Sequence, residues 1–371
     1  MPTYGTASPN RTQYTINWNQ MLTSTLFNYN KKLHDAISKR NVIMKMLKNK
    51  GAYTSVEGGI AIEENLMYAL GSLQYFQGYD VLRREQIDGV TKAVYDWTQC
   101  AANIQISDDE KFKNKGKAKV LDLLQTKIKQ AEMGLKEDWL GDFLQGRERS
   151  VVGGGIINNA QDVISGSIGL DPLAKLVQFD PTVSMLIGGI NQATAVNNKG
   201  IAWWRNKTAN AGGAAMTPGA FLNLFTTMYM SCSNNSEGSP DLILVDDVTY
   251  AMLEAAMRFD HREIKSYTEY PDFENFRFKN AMVTWDDRIP NVFGNNLDTT
   301  VATGKGSAFF LNTDYIKIRY EQDSDFVNTP FMRPVDQLAD VSYIVWRGSV
   351  TLTNRRTHGV IGNIGRTLTG I

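Results

Sequence analysis

Two acids at the end of an apolar run are the first residues that could do chemistry. Leu242, Ile243, Leu244 and Val245 lead straight into Asp246 and Asp247. Carboxylates at the C-terminal end of a buried strand sit where open α/β sheets bind ligands. Such a pair could hold Mg²⁺ or serve as acid and base. The plainer alternative is that one of them caps the helix expected over Val248–Phe259, by accepting from its orphan amides. Asp286-Asp287, ahead of Arg288, reads most simply as a strand-to-loop exit. No further carboxylate or base can be assigned to either pair.

The rest of the chain offers little to a catalyst. His34, His261 and His358 are scattered, with no HExxH spacing for zinc. Cys100 and Cys232 lie far apart and read as reduced core residues. Gly304-Lys305-Gly306-Ser307 echoes a phosphate loop but has glycine after the lysine, and Thr299 where the first glycine belongs. Gly153-Gly154-Gly155 lacks dinucleotide spacing and reads as a hinge. Trp203-Trp204, before Arg205, reads as a core or interface anchor rather than a cofactor box. No catalytic residue, cofactor or metal site is expected.

The elements that position these residues are easier to read. Of 371 residues, 42% are hydrophobic and 21% charged, enough for a sizeable core. Strand-like and helical stretches are mixed, which argues α+β. Nothing approaches the ~18 consecutive apolar residues of a membrane span, and MPTYGTASPN lacks a signal-peptide pattern. The expected compartment is therefore a cytoplasm, or something assembled there.

Ser107-Asp108-Asp109-Glu110 has the form of a capping box. From there Leu121, Leu124, Ile128, Ala131, Leu135 and Trp139 recur on one helical face, and Gly146 supplies a stop. The spacing predicts a long rod over Ser107–Gly146, continuous or broken near its start. Gly134 and Gly141 weaken such a helix by up to about 1 kcal/mol each relative to Ala, so packing against a sheet must hold it.

Before the rod, Leu73–Tyr79 and Val90–Thr98 both alternate, and together predict a long hairpin around Arg83-Arg84-Glu85-Gln86. Neither strand has a clean polar face, and a hairpin of that kind is marginal alone. It needs another surface, from its own chain or a neighbour. After the rod, Pro218–Ser231 reads as a helix. Asn280–Trp285, Phe309–Leu311, Ile316–Tyr320, Val341–Trp346 and Ser349–Thr353 read as strands.

Net charge is zero, but unevenly spread. Residues 1–50 hold eight Lys or Arg against Asp35 alone, and residues 341–371 hold four arginines and no acid. Basic ends around an acidic centre suit docking on further copies of the chain or on a polyanion, though solvated charge without a role fits equally. Residues 1–30 carry Tyr14, Ile16, Trp18, Leu22, Leu26 and Phe27 without a strong period, an arm that needs something to lie on.

The order of these parts resembles the major capsid proteins of tailed bacteriophages, with the Hong Kong-97-like fold. Tyr75–Asp80 through Val94–Trp97 look like that family's extended loop, and Ser107–Gly146 like its spine helix. Pro240–Tyr250 looks like the strand and helix of its axial domain, and Asp340–Gly359 like its closing peripheral strands. The resemblance implies an N-terminal arm (1–50), an extended loop (51–106), a peripheral domain with the spine helix (107–215), an axial domain (216–305) and returning peripheral strands (306–371). Residues 1–50 are too short and acid-poor for the cleaved scaffolding segment of some members, and no cross-linking Lys–Asn pair can be matched.

The function so implied is a head protein in a virion, self-assembling in pentamers and hexamers into an icosahedral shell around double-stranded DNA. Contacts between copies are expected at Arg11, Trp18, Tyr75, Tyr79, Arg83, Arg84, Glu85, Arg355 and Arg356. Scaffold, portal and decoration proteins are possible further partners. Packaged DNA would be met through sequence-blind charge contacts; no membrane is expected. The rivals are an α+β metal-dependent enzyme using Asp246 and Asp247, and another oligomeric phage part such as a portal or tail component.

Overall fold

Ser107 ends one element and begins the next. It closes the strand Thr98–Ser107, and its hydroxyl then accepts from the Glu110 amide at 3.2 Å. The Glu110 carboxylate accepts in return from the Ser107 amide, also at 3.2 Å. This reciprocal pair is the capping box expected from the sequence, and it starts the helix Asp108–Lys113. The helix Leu123–Leu144 follows. The computed structural model describes residues 42–71, 73–82, 88–113, 123–144, 169–233, 238–259, 276–286, 288–289, 291–293, 296–298, 306–335 and 337–370. Leu121, Gly146, Gly153–Gly155, His34 and His261 lie outside them.

The chain divides into two compact units. The first includes residues 100–138 and 323–346. Ile128, Ala131 and Leu135 on the long helix pack with Ile104, Ile344, Ala102, Cys100 and Phe326. The strand Thr98–Ser107 pairs with the strand Ala339–Leu352, and Val327–Asn328 pairs antiparallel with Ile344–Val345. Lys111 binds Asp340 and Asp108, and Arg333 binds Asp108.

The second unit includes residues 41–99, 139–322 and 347–371. Its six-stranded sheet runs in the order Lys207–Asn210, Gly359–Ile364, Gly306–Leu311, Leu242–Val245, Ala281–Trp285, Phe276–Phe278. The residues that form it therefore extend to both sides of 216–305. Leu242–Val245 is buried at every position, which explains its unbroken apolar run. The helices Pro218–Ser233 and Asp247–Phe259 share one core with this sheet. Phe225 sits within it, against Phe221, Phe278 and Phe310. A second group of strands pairs Tyr53–Val56 parallel with Ile318–Glu321, and Ile316–Tyr320 antiparallel with Gly348–Leu352.

Two expectations change. The separate strands Val341–Trp346 and Ser349–Thr353 are one strand of 14 residues, Ala339–Leu352. Gly348 does not interrupt it, because it stays in register opposite Tyr320. The hairpin is also built differently. Val90–Tyr95 pairs not with Leu73–Tyr79 but with Ile62–Met67, in a register running from Ile62 opposite Tyr95 to Met67 opposite Val90. The described residues from 73 to 82 hold no strand. Ile62 and Leu66 face inward with period two, a pattern that Glu63-Glu64-Asn65 hides. Glu64 is tolerated between them because Arg319 Nε donates to it at 2.9 Å. Among the described residues no helix is long and apolar enough to cross a membrane.

Candidate intersubunit surfaces

Beyond the short hairpin the chain carries apolar side chains outward. Leu73 is 79% exposed, Tyr75 87%, Phe76 63% and Tyr79 105%. Met67, Leu70, Val81, Leu82 and Val90 are exposed as well. Backbone turns rather than strand pairing shape this stretch. Gly78 has φ +55, and the Asp80 carboxylate accepts from the Gln77 amide at 2.9 Å. Exposed apolar residues scattered singly are ordinary, but a contiguous run marks an interaction surface. Tyr75 and Tyr79 therefore lie where a neighbour could reach them. Arg83, Arg84 and Glu85 on the same loop, and Arg11 and Trp18 in the arm, lie outside the described residues.

The first unit carries an apolar surface of its own, which the sequence reading did not single out. Phe331, Met332, Val335 and Leu338 are exposed between Val327 and Tyr343, themselves exposed. The signal was present as four large apolar residues around Pro330 and Pro334.

Arg355 requires a correction. Expected at a contact between copies, it is fully buried in the protomer. Its Nε donates to Leu176 O at 3.2 Å, Nη1 to Gln192 Oε1 and Trp204 O at 2.9 Å, and Nη2 to Asn206 Oδ1 at 3.0 Å. Four neutral oxygens replace its hydration, so it has no surface to offer a partner. Burial pulls its pKa down to about 9, which leaves it charged at neutral pH. Arg356 beside it is half-buried, and its amide is capped by Asn354 Oδ1 at 3.1 Å.

Asp246 is placed as a cap. Its carboxylate accepts from the Thr249 amide at 3.3 Å, from the Thr249 hydroxyl and from the Ser307 amide at 3.2 Å. Arg366 Nη1 sits 3.0 Å away. Gly306 permits this: a Cβ there would fall 2.6 Å from Asp246 Oδ1. Asp247 is exposed and accepts from the Val248 amide. Asp286 is bound by Arg288 through Nε at 2.9 Å and Nη2 at 3.0 Å. Both carboxylates are occupied by amides and guanidiniums, which is the chemistry of capping rather than of metal ligation. Among the described residues no group of three or more His, Cys, Asp or Glu could hold a metal.

His358 and Cys232 are core residues. His358 is fully buried, and its Nδ1 accepts from the Asn312 amide at 3.3 Å. Burial, then the Arg355 charge, hold its pKa down at about 3. Cys232 is buried 3.9 Å from the Met228 sulfur, and burial pushes its thiol up to about 12. Trp204 is buried, donating from Nε1 to Ile187 O, and Trp203 stacks on Tyr68.

No family model matches the chain, and no curated protein matches it. Solved structures do. The capsid of cyanophage A-1(L) aligns with a TM-score of 0.64 at 12% identity, covering 91% of this chain and 96% of that one. The capsid of cyanophage Pam1 aligns at 0.53 and 13%, covering 92% and 97%. The SrpI encapsulin of Synechococcus elongatus PCC 7942 aligns at 0.52 and 9%, covering 92% and 95%. The chain has the α+β, Hong Kong-97-like fold of these shell proteins, over nearly its whole length.

Proposed function

We propose that the chain is the major capsid protein of a tailed bacteriophage, assembling with copies of itself into an icosahedral head that encloses double-stranded DNA. One observation carries the reading beyond the fold: a run of large apolar side chains from Leu70 to Leu82 that stands largely exposed. Head-to-tail contacts that close into rings would bury it on the next copy, and many such contacts engaged together give high avidity. The basic residues of 1–50 would meet DNA or acidic neighbours, and scaffold, portal and decoration proteins would complete the particle. The protein does no chemistry in this role.

A second reading follows from the encapsulin likeness: a closed shell around something other than a phage genome. Electron microscopy of the purified chain tests the first step, with rings or shells expected. A stable monomer at high concentration would refute both readings. Nuclease-protected double-stranded DNA in particles from an infected or induced host supports the phage head; particles reproducibly free of it favour the second reading.

A further inference from the structure

Residues 176–206 contain little regular structure. Two strands of two residues, Leu186–Ile187 and Ile190–Asn191, and one isolated bridge between Val196 and Ala202 are the only strand pairing within them. Order comes instead from buried side chains that satisfy the backbone. The Arg355 guanidinium binds oxygens of residues 176, 192, 204 and 206 at once. Asn206 Nδ2 donates to Gln178 O at 2.6 Å, and Gln192 Nε2 to Val183 O at 2.8 Å. A buried arginine without a carboxylate is a poor device for stability, since apolar residues of similar volume often serve as well or better. A planar fork reading four oxygens on separate stretches fixes a shape.

The loop so fixed is what the hairpin rests on. Val94 N donates to Gly188 O at 3.0 Å. Gly188, at φ +58, lies so close that a Cβ would be 2.9 Å from Ala93 Cβ and from the Tyr95 ring. Trp204 Nε1 holds the adjoining Ile187 O at 3.0 Å. Tyr95 Oη donates to Leu352 O at 2.9 Å and accepts from Leu352 N at 3.2 Å, three residues from Arg355. Higher up, Trp203 stacks on Tyr68 with centroids 5.3 Å apart. These contacts run along the hairpin from Tyr95 at its base to Tyr68, just past the last pair of its ladder; Leu73, Tyr75, Phe76 and Tyr79 beyond it are exposed.

We propose that residues 176–206, closed around Arg355, are the seat that sets the direction in which the 62–95 projection leaves the protomer. Through that direction they set the curvature of the shell. The second clause rests on the capsid reading; the first does not. The hairpin is a lever of about 20 Å, so a tilt of 10° at its base moves the far end by roughly 3 Å, a hydrogen-bond length. Gly188, Tyr95 and Arg355 are positioning residues in this scheme.

The test uses the full chain carrying Tyr95→Phe, which keeps the ring, and separately Gly188→Ala. Leu253→Ala, in the core of the six-stranded sheet, is a destabilised control. Amide hydrogen exchange should speed at least tenfold at residues 62–67 and 90–95 in the two seat variants, with Leu242–Val245 unchanged. Electron microscopy should then show particles of mixed diameter, open sheets or tubes from the seat variants, and uniform particles from Leu253→Ala. Unchanged exchange in the hairpin overturns the seat. Faster exchange with uniform particles of wild-type diameter overturns its control of curvature. Wild-type chain that never assembles overturns the capsid reading, and exchange still decides the seat.

Discussion

Replacing Tyr75 and Phe76 together by serine separates a surface made for a partner from one that serves the protomer. The two side chains are 87% and 63% exposed, and removing them opens no cavity. Protomer stability should change by less than about 0.5 kcal/mol, as for other surface substitutions. In an assembled ring the same side chains would be covered by the next copy. Fully burying a large apolar side chain contributes about 1.5–3 kcal/mol, and Phe76 starts partly covered, so the pair is worth about 3 kcal/mol per contact. That is roughly a 100-fold loss in the association constant of each contact. Every copy in a head-to-tail ring both gives and receives such a contact, so the concentration at which shells form should rise by at least that factor. Sedimentation velocity across a dilution series reads the assembly threshold, and urea unfolding of the protomer reads stability. A threshold shifted by less than threefold would refute the reasoning. So would a protomer weakened by more than about 1 kcal/mol, since that would mean the side chains pack on their own chain.

Three further outcomes are expected. Reversing Arg83 and Arg84 to Glu should impair assembly while leaving thermal unfolding unchanged; shells of normal yield would remove the loop from the interface. The protomer should lose stability in acid through His358. Its folded pKa is depressed to about 3 from an unfolded value near 6.5. The unfolded state therefore binds the proton first, and stability present above about pH 6.5 falls by at most ~1.4 kcal/mol per pH unit down to about pH 3. Urea midpoints measured from pH 7 to 4 should show this slope, and His358→Gln should flatten it; equal slopes would contradict the assignment. Gly134→Ala should strengthen the long helix by up to about 1 kcal/mol, because an added Cβ meets no atom within 4 Å. A lower melting temperature would show that the position needs glycine.

What the sequence made legible was local. The capping box at Ser107 spans four residues, and the apolar stripe from Ile128 to Leu135 repeats every turn, so each can be seen without knowing a partner. Leu242–Val245 and the helix after it were readable for the same reason. The hairpin was not, because period-two alternation is ambiguous. Leu73–Tyr79 alternates but belongs to an uncovered surface, whereas Ile62–Met67 pairs in spite of Glu64, whose partner Arg319 lies 255 residues away. Arg355 defeated the reading through a rule that is usually sound: an unpaired arginine belongs outside. Its acceptors are backbone and amide oxygens of residues 176–206, and no pattern in the sequence aims them at position 355.

Two inversions of ordinary burial then have one explanation. Large apolar side chains stand outside at 70–82, and a cation without a carboxylate stands inside at 355. The first is unfavourable until another molecule covers it, so its stabilisation appears only on association and grows with concentration. Such a surface must be presented at a defined angle before any neighbour is present to correct it. The exposed run cannot supply that angle, since from Leu73 to Leu82 it has no strand ladder. The angle has to be stored beneath it, in residues 176–206, where a core of apolar side chains alone would leave the backbone oxygens unpaired. A fork of five N–H groups pairs them and permits few other arrangements. The buried charge and the exposed grease are therefore parts of one requirement: a protomer stiff at its base and incomplete at its tip.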